Sequence, residues 1–179
     1  MRVMNIPNTL TILRIVMIPV FITAVIYGRY RYGLYIFVFA ALTDMFDGLS
    51  ARLTNQKTAL GTFLDPLADK FLLVTSFILF STYGWIPKWF TITVISRDVI
   101  VVIGWFLLYL VTQNARVEPV LLGKLAVALE LGVLAYILLR LNFSGLPTVP
   151  GAVLFLIGAV TAVSGLQYIY KGFKLTNAS

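Results

Sequence analysis

The chain of 179 residues contains no cysteine and no histidine. The first absence excludes disulfides, thiolate nucleophiles and cysteine-based zinc sites. The second removes the side chain that most often serves as general base near neutral pH. Charge is scarce as well: Asp, Glu, Lys and Arg make up 12% of the residues, and only seven are acidic. A soluble domain of this length needs a polar surface that such a composition does not supply. Proton chemistry, if the chain performs any, falls to carboxylates. There is no low-complexity tract and no internal repeat.

Apolar residues fill the space those absences leave. They account for 60% of the chain, and the mean hydropathy is +0.94. The expected class is an all-α integral membrane protein, a single domain over residues 1–179. Scored against the roughly 20 apolar residues that cross a bilayer, six segments emerge: 8–27, 33–52, 67–85, 88–112, 120–140 and 147–171. Spanning structures without closed strand pairing must be helices, so all six are read as transmembrane helices. A short interfacial segment precedes the first, with Asn8 as its expected cap. Arg14 interrupts the opening apolar run, so the first span is expected to be retained and not cleaved as a signal.

Loop charges give the orientation. With the N-terminus inside, the inner side holds Arg2, Arg52, Lys57, Arg116, Lys124, Lys171 and Lys174, against Arg29, Arg31, Lys88 and Arg140 outside. The bias favours both termini inside a bacterial-type plasma membrane. The net charge of +7 suits an anionic lipid leaflet or a phosphorylated substrate. Nucleic acid is not expected, because the basic residues form no continuous stripe.

Four of the seven acidic residues lie between positions 44 and 69. The stretch reads Asp44-Met45-Phe46-Asp47-Gly48-Leu49-Ser50-Ala51-Arg52, then eight residues, then Gly61-Thr62-Phe63-Leu64-Asp65-Pro66-Leu67-Ala68-Asp69. Carboxylates in apolar surroundings are costly and mark a functional site. Spacings of three and four put each pair on one helical face. Two such faces opposed could hold two divalent cations, and oxygen-only ligands point to Mg2+ or Mn2+. Two hard cations can clamp a phosphoryl group, Gly48 and Gly61 admit close approach, and Arg52 can reach a phosphate. Pro66 suits the first turn of the third helix, after a polar connection over 53–64. Read from the residues alone, this is a metal-dependent membrane enzyme acting on a phosphorylated compound. The reading from another class is a small ion transporter or channel, which leaves the glycines and Arg52 without a role.

Arg14, Arg97 and Lys124 are the candidate phosphate ligands outside that stretch. Arg97 and Asp98 fall midway along the fourth span and Glu130 inside the fifth, where charges line polar cavities more often than they face lipid. The bland alternative is ion pairing between helices for Arg97, Asp98 and Glu130, and a snorkelling interfacial anchor for Arg14. Trp85, Trp89, Tyr30, Tyr32, Tyr168 and Tyr170 sit at segment ends as interfacial belts.

The pattern Asp44-x-x-Asp47-Gly48-x-x-Ala51-Arg52-x8-Gly61-x-x-x-Asp65-x-x-x-Asp69 resembles the full signature of the CDP-alcohol phosphotransferase family. The likeness extends to Asn5-Ile6-Pro7-Asn8-x-Leu10-Thr11-x-x-Arg14 and to Ser164-Gly165-x-x-Tyr168. What it implies is transfer of a phosphatidyl group from CDP-diacylglycerol to an alcohol, with release of CMP. By the family pattern Asp44, Asp47, Asp65 and Asp69 hold two metals and Asp69 also acts as general base. Gly48, Ala51, Arg52 and Gly61 contact or make room for the CDP moiety. The resemblance also implies a homodimer with its site open to the cytoplasm.

The acceptor is read from other positions. Members that use glycerol 3-phosphate, and so make phosphatidylglycerophosphate, resemble the chain closely through Asp69-Lys70. They continue with Arg-Glu-Phe, a second arginine eight positions on, and Gly-Lys-x-Lys. Here Arg97 is followed by Asp98, position 105 is Trp, and Gly123-Lys124 is followed by Leu125-Ala126. The Ser96-Arg97-Asp98 wording is similar instead to the cardiolipin-forming members, which use phosphatidylglycerol. Glycerol 3-phosphate is the expected acceptor and phosphatidylglycerol the alternative.

Overall fold

The structure is a computed structural model that describes residues 6–54, 59–112 and 121–176, with side chains over 13–43, 70–104 and 121–172. Among the described residues there are six α-helices and no strands: α1 (Ile6–Ile26), α2 (Tyr30–Thr54), α3 (Ala59–Thr82), α4 (Lys88–Thr112), α5 (Leu121–Asn142) and α6 (Gly151–Thr176).

Local chemistry sets most of the ends. α1 stops at Gly28, whose φ of 68° is open to glycine at little cost. Gly28 N donates to Val25 O at 3.0 Å and Arg29 N to Ala24 O at 2.8 Å, the pair of bonds that satisfies the last carbonyls of a helix closed by a left-handed residue. α3 ends the same way at Gly84, φ 73°, with Trp85 N donating to Phe80 O at 2.9 Å. Proline governs two starts. Pro87 O accepts from Phe90 N, and Pro150 O from Val153 N, so α4 and α6 begin directly after a residue that cannot donate.

Two expected features move. α3 begins at Ala59, not near 67, so the supposed polar connection over 53–64 is largely helical and Pro66 lies inside α3. Its ring removes one intrahelical donor, a loss that membrane helices tolerate where neighbours re-satisfy the carbonyl. α1 begins at Ile6, which puts Asn8 inside the first turn and not at its cap. Pro7 is acceptable there, because first-turn N–H groups have no intrahelical partner anyway.

The chain divides into two compact units, one formed by residues up to Leu79 with Leu134–Pro147, the other by Phe80–Val133 with Thr148 onward. In the first, α1 and α2 pack as an antiparallel hairpin. Phe21 lies 6.1 Å from Phe37, and a Cβ on Gly33 would stand 3.2 Å from Val25 Cγ2. Phe21, Val25, Phe37, Ala40, Leu72, Leu73 and Phe77 are buried. In the second unit α4 packs on α6. Leu154, Ile157, Thr161 and Ser164 are buried at steps of three and four, one continuous stripe of α6. A Cβ on Gly158 would lie 3.0 Å from Trp89, so the two helices approach closely there.

The outward faces are apolar too. Tyr35, Ile92, Phe155, Leu156 and Leu166 are each more than 60% exposed, a surface suited to lipid. Among the described residues two helical stretches are long and apolar enough to cross a membrane, Leu121–Asn142 and Gly151–Gly172. At 1.5 Å per residue each reaches about 33 Å, against a hydrocarbon core of about 30 Å. The apolar stretches Leu13–Ile26 and Lys70–Thr82 are shorter, and α4 is interrupted by Arg97 and Asp98. Six spans are therefore not established by length and composition; the described residues are all helical outside their turns, and two of the helices have the length and composition to cross a membrane. In lipid the apolar transfer term between helices largely vanishes, which leaves close packing and buried hydrogen bonds to hold them together. The hydroxyls of Thr23, Thr43, Thr75 and Ser76 bond carbonyls of their own helix and so need no partner across the interface.

Candidate functional site

The acidic signature falls on two helices. Asp44, Asp47, Gly48, Ala51 and Arg52 occupy the C-terminal half of α2; Gly61, Asp65 and Asp69 occupy the N-terminal half of α3. Their side chains lie outside the described ones. The helical backbone at all eight positions supplies what the spacing argument required, namely that positions 44 and 47, and positions 65 and 69, each share a face one turn apart. Arg14 lies on the packed face of α1, on the stripe of Ile18, Phe21 and Val25, and is only 2% exposed. The antiparallel hairpin, in which Phe21 meets Phe37 and Val25 meets Gly33, places the N-terminal half of α1, with Arg14, at the end where α2 carries its C-terminal half. A lipid-facing snorkel does not fit such burial.

The other polar cluster is described in full and belongs to the second unit. Arg97 on α4 is 5% exposed and bonded through all three guanidinium nitrogens. Nε donates to Ser164 Oγ on α6 at 3.1 Å, Nη1 to Asp98 Oδ1 at 2.8 Å, and Nη2 to the Gly123 carbonyl in the first turn of α5 at 3.3 Å. The Tyr168 ring covers the guanidinium with its centroid 5.6 Å from Cζ, within cation–π range. Ser164 Oγ in turn donates to Thr161 O at 2.8 Å, and Thr161 Oγ1 to Glu130 Oε1 at 2.8 Å. The buried charges of α4 and α5 are thus tied into one chain of hydrogen bonds across three helices. Such a network is strong in a low dielectric and intolerant of a missing member.

Two glycines make room for it. A Cβ on Gly123 would stand 2.9 Å from Arg97 Nη2 and 3.0 Å from Tyr168 Oη, and one on Gly165 would stand 3.3 Å from Arg97 Cγ. Lys124, next to Gly123, is exposed. Asp98 pairs with Arg97 within α4, whereas the alternative reading is ion pairing between helices. Three of the five guanidinium N–H groups are used in these bonds, which leaves two. Sequence reasoning gave Tyr168 only a belt role and Ser164 none. The signal was present, since positions 161, 164, 165 and 168 fall on one face of α6, but their partner was not visible from α6 alone.

A chain that is all-helical among its described residues, with carboxylate pairs at helical spacing on α2 and α3 and apolar outward faces, fits the class of membrane-associated enzymes. Residues 4–164 match the family profile described as CDP-alcohol phosphatidyltransferase. The CDP-diacylglycerol–glycerol-3-phosphate 3-phosphatidyltransferase of Bacillus subtilis is 34% identical over 193 residues, covering 98% of each chain. Its namesake in Aquifex aeolicus is 33% identical over 179 residues, covering 96% of this chain and 98% of that one. A shorter similarity, 40% over 98 residues, covers 54% of this chain and 47% of a Mycobacterium bovis protein named as a cardiolipin synthase. The chain belongs to the CDP-alcohol phosphatidyltransferase family and is a transferase. Divalent metal ions are general in that family.

Proposed function

We propose that this chain transfers the phosphatidyl group of CDP-diacylglycerol to glycerol 3-phosphate, giving phosphatidylglycerophosphate and CMP. The observation that carries the proposal is the complete signature from Asp44 to Asp69, on helical backbone, in a chain similar to glycerol 3-phosphate-using relatives over nearly their whole length. The acceptor hydroxyl oxygen attacks the phosphatidyl phosphorus. A new P–O bond forms, the pyrophosphate P–O bond breaks, and CMP leaves with the bonding electrons. Asp69 accepts the hydroxyl proton. Gly48, Ala51, Arg52 and Gly61 accommodate the CDP group.

The all-oxygen donor set of Asp44, Asp47, Asp65 and Asp69 fits two hard cations, Mg2+ or Mn2+. Bound there, such ions supply charge neutralisation on the pyrophosphate oxygens. Arg14, Arg97 and Lys124 are proposed for the acceptor phosphate, Arg97 through its two remaining N–H groups. The proposal further includes six membrane spans, termini and site on the cytoplasmic side, and a homodimer.

A second reading, with phosphatidylglycerol as acceptor, is favoured by Asp98. A carboxylate 2.8 Å from the Arg97 guanidinium offsets charge that a dianionic phosphate would use, whereas a phosphodiester asks for less. The test is product formation by purified enzyme with Mg2+, using glycerol 3-phosphate, phosphatidylglycerol, inositol phosphate or serine. Phosphatidylglycerophosphate is expected. Turnover with phosphatidylglycerol alone would transfer the assignment to cardiolipin synthesis. With glycerol 3-phosphate, Arg97→Ala is expected to raise KM by roughly 10- to 100-fold, the range for a hydrogen bond to a charged group. An unchanged KM would remove Arg97 from the acceptor site.

A further inference from the structure

We propose that α6 fixes the acceptor-binding arginine, with Ser164 and Tyr168 as positioning residues for Arg97. The inference rests on the reading that Arg97 meets the acceptor phosphate. An arginine side chain turns about several bonds, and each contact here removes part of that freedom. The Nε–Ser164 bond sets rotation about the end of the side chain. The Nη2 bond to the Gly123 carbonyl holds the far edge of the guanidinium. The Tyr168 ring closes one face.

Ser164 can do this because its own hydroxyl is directed. Its proton goes to Thr161 O at 2.8 Å, which leaves an oxygen lone pair for Arg97. Thr161 is anchored in turn by Glu130 Oε1 at 2.8 Å. Thr161, Ser164 and Glu130 are wholly buried, so water does not compete for these bonds. Glycine at 123 leaves the space in which Arg97 Nη2 and Tyr168 Oη lie. What results is a guanidinium whose two remaining N–H groups are preset before acceptor arrives, and a preset donor pair loses less freedom on binding.

The test separates positioning from packing by kinetics with glycerol 3-phosphate and with phosphatidylglycerol on full-length protein. Tyr168→Leu removes the ring face and Ser164→Ala removes the Nε acceptor; each is expected to raise acceptor KM by about 5- to 30-fold. Both should leave kcat and the KM for CDP-diacylglycerol within about twofold. Tyr168→Phe keeps the face and is expected to raise acceptor KM less than Tyr168→Leu does. Gly123→Ala would set a Cβ against Arg97 Nη2 and the Tyr168 ring, so it should raise acceptor KM, with Tm measured alongside.

If Arg97→Ala raises acceptor KM and neither Tyr168→Leu nor Ser164→Ala does, the positioning role is wrong and the reading of Arg97 stands. If Arg97→Ala also has no effect, the reading of Arg97 fails first and the inference falls with it. A fall in kcat with a lowered Tm and no selective rise in acceptor KM, and no recovery in Tyr168→Phe, marks a purely structural role and overturns the proposal.

Discussion

Asp69→Asn is expected to lower turnover by at least about 1,000-fold while leaving CDP-diacylglycerol binding largely intact. Asparagine is nearly isosteric and keeps one carbonyl oxygen, but it carries no charge and cannot take a proton. Loss of a positioned base costs about 100- to 10,000-fold, and a weakened metal ligand adds to that. Binding should survive because the positions proposed for the CDP group, Gly48, Ala51, Arg52 and Gly61, are unchanged. The fold should survive as well. Asp and Asn differ little in helix propensity, and the core residues that follow on α3, Leu72, Leu73 and Phe77, are untouched. The measurements are CMP release, binding of CDP-diacylglycerol by calorimetry, and Tm. Turnover within about tenfold of wild type would remove Asp69 as the base.

The order of the helices was largely legible in the sequence, because long apolar runs broken by Gly28, Gly84, Pro87 and Pro150 carry their own punctuation. The start of α3 was not. Residues 59–64 look like a loop by polarity, and Pro66 imitates a helix start, yet the helix runs through both. Polarity reports what surrounds a segment, and a helix lining a charged site is polar without being a loop. The signature from Asp44 to Asp69 was readable as a pattern because it is local, two short motifs with fixed spacing on α2 and α3. The cluster around Arg97, proposed for the acceptor, is a different case. Arg97, Gly123, Ser164 and Tyr168 come from three helices and lie up to 71 positions apart in the chain, and no spacing rule links them. Asp98 is the exception. It adjoins Arg97 in sequence and pairs with it in space, as the interhelical ion-pair alternative anticipated in kind though not in detail, since both partners lie on α4.

Excess EDTA is expected to silence the enzyme completely, with activity restored by Mg2+ or Mn2+. In the proposed site the four carboxylates of positions 44–69, paired one turn apart on two helices, would repel one another where apolar helices screen poorly. Divalent cations bound there would remove that repulsion and favour the folded state, so they should also stabilise it. At a free metal concentration 100 times Kd the gain is about 2.7 kcal/mol, which for a protein of this size shifts Tm by several degrees in the range of about 5–10 °C. The thermal readout separates metal binding from chemistry. Asp44→Ala and Asp65→Ala, one from each pair, should lose both activity and the metal-dependent rise in Tm. Asp69→Asn, which keeps an oxygen ligand, should retain part of the rise without turnover. Zn2+ should substitute poorly, because the donor set contains neither histidine nor cysteine. An enzyme indifferent to chelator, with Tm unmoved by Mg2+ or Mn2+, would sink the two-metal scheme and leave the carboxylates to be explained as bases and counter-charges alone.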